Sequence, residues 1–409
     1  MHPAIQQHDD DDGNGEMGLQ SYGHMAPEIM AQNASLTQFH LPQRLFGPDN
    51  LVIRSIDCHA GGEPARVIIG GVPPMPTECD TAQKKRLHMM QHMDRLRRIL
   101  LLEPRGYPCQ NVDYIFEPSS PGANIQYVIG EQNKIYPLMS GHNTVCVATA
   151  VLETGIVPMV EPLTHFTLEA PAGPIEVTAE CHQGKATSIA LRNTVSFVEH
   201  LDVVVNVPHG IGNVTVDVAY GGMWYCVVDL KQFADENNHL PPLQLDPAHA
   251  SELCRVGEMI KVACREQYPV NHPDIDYPGC DILVFRGAPT EGSGAHARNT
   301  VVMSNNELDW NRPETWTGML DRSPCGTGTC AVMATMHARG LLKVGEKFVH
   351  ESIVGSMFTG TILEETTLKD GRKGMIPEIK GTACITQYCE IVVDPQDIFP
   401  EGYTVSDIW

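Results

Sequence analysis

Positive charge is what this chain has least of: 28 Lys and Arg stand against 50 Asp and Glu in 409 residues, a formal charge of −22. That balance disfavours nucleic acid and anionic membrane surfaces as partners and leaves a small molecule as the expected one. Long apolar runs are lacking too. No stretch approaches a membrane span, and the N-terminus has neither an apolar signal core nor an Arg-rich transit character, so a cytoplasmic protein is expected. Paired cysteine spacings are also missing. The 13 cysteines are odd in number and show no C-x-x-C, which argues against a disulfide framework and against a zinc site. Most of them, such as Cys146 and Cys226, read as small buried apolar residues.

What is present is enough apolar sequence, 42% of the chain, for two domains with their own cores. Residues 1–48 carry HDDDDGNGE and no sustained apolar period, and read as a disordered acidic extension whose scattered histidines form no ligand set. From there on, β-branched runs flanking Gly-Gly turns predict strands. One amphipathic stretch, with Ala82, Met89, Met93, Leu96 and Leu100 at helical spacing and a stop at Pro104, predicts a helix whose Lys and Arg form a solvated face. Two further runs, VCVATAVLETGIV and AVMATMHARGLL, are apolar on nearly every side, as suits helices enclosed by sheet. The expected fold is α+β: two pseudo-symmetric domains, each a β-sheet wrapped around a central helix. The division is 49–208 with a C-terminal return at 380–409, and 209–379. The segment 306–318 reads as a surface insertion near the mouth of a cleft.

The two enclosed helices start alike. DRSPCGTGT (321–329) and MSGHNT (139–144) align Cys325 with Ser140, Gly326 with Gly141 and Thr329 with Thr144. A cysteine beside a helix is ordinarily a core residue, and a serine there an N-cap. Their recurrence at matched positions favours a site instead. Helix N-termini present unpaired N–H groups and a positive dipole end, so two that face each other can hold a carboxylate. Ser140 and Cys325 would then flank the carbon bearing it, and the same dipole would lower the thiol pKa from about 8.5 toward neutrality.

The runs DCHAGGEPARV, MSGHNT, VDVAYGGMWYCVVD and DRSPCGTGT, in this order, resemble the proline racemase family from about Leu51 to Tyr403. The resemblance implies a cofactor-independent enzyme of diaminopimelate-epimerase-like fold acting on a proline or hydroxyproline; a homodimer stays open. It implies a substrate carboxylate on the backbones of Gly141, His142, Gly326 and Thr327, a ring nitrogen at Asp321, and a further substrate contact at Asp281.

Racemases and epimerases of that family generally carry cysteine at both turns, whereas this chain has Ser140 at the first. Dehydratase-like members keep the first cysteine and carry Thr at the second. The Ser140 turn offers no evident partner base in the sequence, which leaves Cys325 as the one strong base. One thiolate suffices for a syn elimination, so the reading is dehydration of trans-3-hydroxy-L-proline to pyrroline-2-carboxylate by a hydro-lyase. The alternatives are a proline racemase or 4-hydroxyproline 2-epimerase and, from another class, a non-catalytic protein that holds a proline analogue. A thiol hydrolase is weaker, since no triad partners surround Cys325.

Overall fold

The fold starts from a Gly61–Gly62 turn between two β-branched runs, which pair as an antiparallel hairpin, β1 (Leu51–Ala60) and β2 (Glu63–Gly70). The structure, a computed structural model, describes residues 51–235, 237, 239–405 and 408. The extension expected at 1–48 lies outside the described residues. After β2 come α1 (Ala82–His92) and α2 (Asp94–Leu101), which form the crossover that a parallel neighbour requires. That neighbour is β3 (Asn111–Phe116), followed by its antiparallel partner β4 (Ile125–Gly130). The enclosed helix α3 (Gly141–Glu153) carries the chain across to β5 (Leu163–Ala170), parallel to β4. A meander of β6 (Gly173–His182) and β7 (Lys185–Arg192) completes this run.

The order then repeats. Strands β8 (Ser196–Val207), β9 (Gly212–Tyr220) and β10 (Trp224–Asp229) lead to α4 (Ala250–Gln267). The parallel neighbour of β10 is β11 (Ile282–Gly287), paired with β12 (Ala297–Met303), and a two-residue β13 (Met319–Leu320) precedes the second enclosed helix, α5 (Gly326–Ala338). Then come β14 (Lys347–Glu351), β15 (Met357–Thr367), β16 (Lys373–Gly381) and β17 (Ala383–Val393).

The pairings close two rings. In the first, β1 to β7 follow one another, β7 pairs with β16, and β17, one residue beyond β16, returns to β1. In the second, β8 to β12 continue through β14, β15 and β16, and β16 pairs back to β8. The rings exchange a strand each way: β8 leaves the first for the second, and β17 does the reverse. Helix α3 is buried over residues 141–152 and α5 over 326–335. Their surroundings merge into one apolar cluster that includes Val145, Val151, Ala331 and Met333, and the described residues form one compact unit.

Two sequence expectations change here. The amphipathic stretch does not form one helix but breaks at Met93 (φ −126°, ψ 15°), where Asp94 opens the second helix and binds Arg97 and the Tyr136 hydroxyl. Its basic cluster is a solvated face only in part, with Lys84, Arg95 and Arg98 exposed. Lys85, Arg86 and Arg97 are buried, because Arg86 donates to the Tyr136 carbonyl and stacks on Tyr277, and Arg97 pairs with Asp94 and reaches the Glu131 carbonyl. Segment 306–318 folds onto the outside of the second ring: Trp316 donates to Asp309 O (2.9 Å), and its ring centroid lies 4.4 Å from that of His209 in the β8–β9 turn. No described helix is long and apolar enough to cross a membrane.

Candidate active site at two abutting helix N-termini

Helices α3 and α5 meet head to head. A Cβ on Gly141 would lie 2.5 Å from the Gly326 Cα, and one on Gly326 would lie 2.6 Å from the Gly141 Cα. Only glycine at both positions allows this approach. It brings the first-turn N–H groups of Gly141 and His142 next to those of Gly326 and Thr327, and such groups have no carbonyl one turn earlier to bond. Two positive dipole ends therefore share one small region, a setting for an anion.

Hydrogen bonds account for the spelling of DRSPCGTGT. Asp321 Oδ1 accepts from Ser323 N (2.7 Å), and Ser323 Oγ accepts from Cys325 N (3.0 Å). The Pro324 carbonyl takes Asn299 Nδ2 (2.7 Å) and Thr329 Oγ1 (3.0 Å). Cys325 is thereby held at φ 55°, ψ 108°, a left-handed conformation that costs a non-glycine residue about 1–3 kcal/mol and is characteristic of functional positions. Its Sγ accepts from Gly328 N (3.3 Å) and lies 3.2 Å from the Tyr225 hydroxyl and 3.8 Å from Thr327 Oγ1.

The turn at Ser140 matches in position but not in backbone. Ser140 is extended (φ −142°, ψ 128°) and its side chain makes no capping bond to its helix. Its Oγ lies 3.1 Å from Asn143 Nδ2 and 3.3 Å from His142 Nδ1. No partner base was expected at this turn; the hydroxyl nevertheless has side-chain neighbours, since the imidazole of His142 folds back onto the serine two residues earlier, a contact that no spacing rule signals. Both Ser140 and Cys325 are nearly enclosed, at 5% and 6% exposure.

The thiol also departs from expectation. Burial and then the nearby Asp321 push the Cys325 pKa well above its ordinary value, against the donors from Tyr225, Gly328 and Thr327. Desolvation of an anion outweighs the helix dipole at this buried thiol. The same burial raises Asp321 to about 6, although its hydrogen bonds to Ser323 and Cys325 oppose the shift.

Around Asp321 lie further buried carboxyls, of which sequence reasoning named Asp281 and missed Glu63 and Glu131. Glu63, at the start of β2, accepts from Arg322 N (2.8 Å) and from Asn111 Nδ2 (3.2 Å), tying the HAGGEP loop to the Cys325 turn. Burial and Asp321 raise its pKa well above the ordinary range. Glu131, just past β4, is pushed up to about 8 by burial and by the fields of Asp321 and Asp281, and its Oε2 is buried without a partner. Asp281 precedes β11, is bonded by the Tyr277 side chain, and leaves Oδ2 unpartnered. Ser140, Gly141, His142, Cys325, Gly326 and Thr327 are thus gathered at the helix junction. Asp321 lies beside them, and Asp281 is linked to it through Glu131. Among the missed residues, Glu63 and Tyr225 had a signal, since each falls inside a motif run, whereas Glu131 had none. Among the described residues no His, Cys, Asp or Glu cluster is arranged to hold a metal ion.

A mixed α/β protein of two strand rings, each around a helix whose N-terminus abuts the other's, is the class that fold and site define. The chain matches the proline racemase family over residues 55–404, and it belongs to that family. It is 37% identical over 358 residues to a 4-hydroxyproline 2-epimerase of Rhizobium etli, covering 87% of this chain and 96% of the relative. A solved hydroxyproline epimerase of Agrobacterium vitis with bound trans-4-hydroxy-L-proline superposes with a TM-score of 0.77 at 34% identity, covering 88% of this chain and 96% of that one. A solved probable proline racemase of Agrobacterium radiobacter with bound carbonate gives 0.77 at 36% identity, over 87% and 98% of the two chains.

Proposed function

We propose that this chain is a cofactor-independent isomerase that inverts the α-carbon of a proline-like amino acid, with 4-hydroxyproline as its substrate. The observation that carries this reading is the junction of two helix N-termini at Gly141 and Gly326, flanked by Ser140 on one side and Cys325 on the other. The kinship to a 4-hydroxyproline 2-epimerase supports it.

In this reading the substrate carboxylate sits on the N–H groups of Gly141, His142, Gly326 and Thr327. The ring nitrogen lies at Asp321, and Asp281 and Glu131 face the rest of the ring. Cys325 takes the α-proton, and the electron pair left behind spreads into the carboxylate, where the fixed N–H dipoles stabilise the developing charge. The thiol ionises when the cationic ring nitrogen enters beside Asp321. Burial and then the Asp321 carboxylate hold the thiol neutral; the incoming charge offsets the second of these, and the donors from Tyr225, Thr327 and Gly328 stabilise the sulphur anion.

Dehydration of trans-3-hydroxy-L-proline becomes the second reading. The unlike pair of Ser140 and Cys325 favours it, because one thiolate can both take the α-proton and return it to a departing hydroxyl on the same face. The test is incubation in heavy water with trans-4-hydroxy-L-proline, trans-3-hydroxy-L-proline and L-proline, reading α-deuterium, chirality and imine separately. Inverted, deuterated 4-hydroxyproline is expected. Imine from the 3-hydroxy isomer, with 4-hydroxyproline untouched, would replace the epimerase by the dehydratase.

A further inference from the structure

A serine hydroxyl is a poor base, so its presence opposite Cys325 needs a physical account. We infer that His142 and Asn143 hold Ser140 as a proton donor, aimed at the face of the α-carbon opposite Cys325; this rests on the isomerase reading above.

The argument turns on which ring nitrogen of His142 carries hydrogen. Asn111 Nδ2 lies 3.2 Å from Glu63 Oε1, 3.3 Å from Pro64 O and 3.3 Å from Cys109 O. All three are acceptors, so this atom is the amide nitrogen and not the oxygen. It also lies 3.3 Å from His142 Nε2, and two N–H donors do not face each other at that distance, so Nε2 is the ring nitrogen without hydrogen. Burial pushes the imidazole pKa down to about 3, so the ring is neutral and its single hydrogen is on Nδ1. That hydrogen points at Ser140 Oγ, 3.3 Å away, and Asn143 Nδ2 donates to the same oxygen from 3.1 Å. With both acceptor positions of the hydroxyl filled, its own hydrogen is left to give, and among the described residues Oγ has no third partner recorded.

The chain Glu63, Asn111, His142, Ser140 is buried at every member. It is anchored at its far end by Arg322 N on Glu63 Oε2, so one network fixes the turn of Cys325 and the tautomer facing Ser140. The proton bookkeeping closes. Cys325 thiolate takes the α-hydrogen as the C–H bond breaks, and the carbanion then takes the Ser140 hydrogen on its other face. The electron pair of the broken O–H bond stays on Oγ, where two N–H groups stabilise it. Water carries the proton from the Cys325 thiol back to Oγ before the next turnover. His142 and Asn143 touch neither substrate nor proton through their side chains and act as positioning residues.

The experiment measures, for trans-4-hydroxy-L-proline in heavy water, the ratio of inversion to α-deuterium exchange with retention. Asn143→Asp keeps the shape but, ionised at the alkaline pH of the assay, only accepts from the hydroxyl, and His142→Leu removes the Nδ1 donor. Each is expected to lower the ratio at least tenfold. His142→Asn, whose amide nitrogen can occupy the place of Nδ1, is expected to recover most of it. In a Ser140→Cys background, where a thiol needs no such donors, the Asn143→Asp loss is expected to disappear. Binding of pyrrole-2-carboxylate, followed by protection of Cys325 from alkylation, reports that each variant is folded. Parallel loss of inversion and exchange, or an Asn143→Asp loss that persists with Ser140→Cys, would overturn this inference alone. Absence of any α-exchange by the wild type would overturn the isomerase reading and this inference with it.

Discussion

Replacing Gly141 with Ala sets two effects of opposite sign against each other. Alanine is the better helix former, by about 1 kcal/mol in a helix interior, so local propensity predicts a slightly more stable α3. The new methyl carbon, however, would lie 2.5 Å from Gly326 Cα and 3.1 Å from Gly326 N. Carbon contacts settle at about 3.5–4.0 Å, so the two helix ends must part by more than about 1 Å. Backbone supplies both contacts, and no rotamer change can relieve them. Overpacking of this kind costs about 1–3 kcal/mol, which exceeds the propensity gain, so the melting temperature falls. The larger effect is on turnover. A displacement of about 1 Å in a positioned site costs about a hundredfold, and here it separates the two halves of the carboxylate cradle. Exchange of the α-proton of trans-4-hydroxy-L-proline in heavy water, followed by NMR, is expected to drop by about two orders of magnitude. Gly326→Ala should behave alike, since its methyl would meet Gly141 Cα at 2.6 Å. A Gly141→Ala protein with turnover within about threefold of wild type and a raised melting temperature would refute the head-to-head junction as the basis of the site.

Three further outcomes follow from the site and its surroundings. Cys325→Ser should lower turnover by at least about three orders of magnitude while pyrrole-2-carboxylate still binds in a calorimeter, because backbone groups hold the carboxylate; an active variant would remove the thiol from the mechanism. Glu131 is raised from 4.5 to about 8, so the folded state retains a proton that the unfolded state gives up, and its contribution to stability is full below pH 4.5 and lost as pH rises toward 8, at about 1.4 kcal/mol per pH unit. Glu131→Gln should therefore melt higher than wild type by a margin that grows from pH 5 to pH 8, and a constant margin would contradict the assignment. Asp113 is buried beside the core with neither carboxyl oxygen partnered; Asp113→Val should raise urea-unfolding stability at pH 7 by about 1–3 kcal/mol, and a loss would point to a bonding partner.

The chain by itself determined much of this protein. The two enclosed helices were legible because their residues are apolar on every side, and the matched starts at Ser140 and Cys325 were legible because each lies within a few consecutive residues. Strand runs such as IQYVIG, which becomes β4, were equally local. What sequence could not yield were consequences of pairing across long separations. The return of the C-terminal strand was expected, but the passage of β8 into the second ring depends on its pairing with β9 and β16, partners that no short pattern records. The inward turn of Arg86 and Arg97 depends on Tyr277 and on the Tyr136 and Glu131 carbonyls, groups supplied by other elements, whereas the Asp94–Arg97 pair is local to one helix. The thiol shows the limit most directly. The helix dipole that favours a thiolate can be inferred from a Gly-rich turn before a helix, but desolvation cannot, because it is set by everything packed around Cys325. The partner of Ser140 was hidden likewise: His142 is two residues away in sequence, yet its tautomer is fixed by Asn111 and Glu63, on strands that only the tertiary fold brings to that ring.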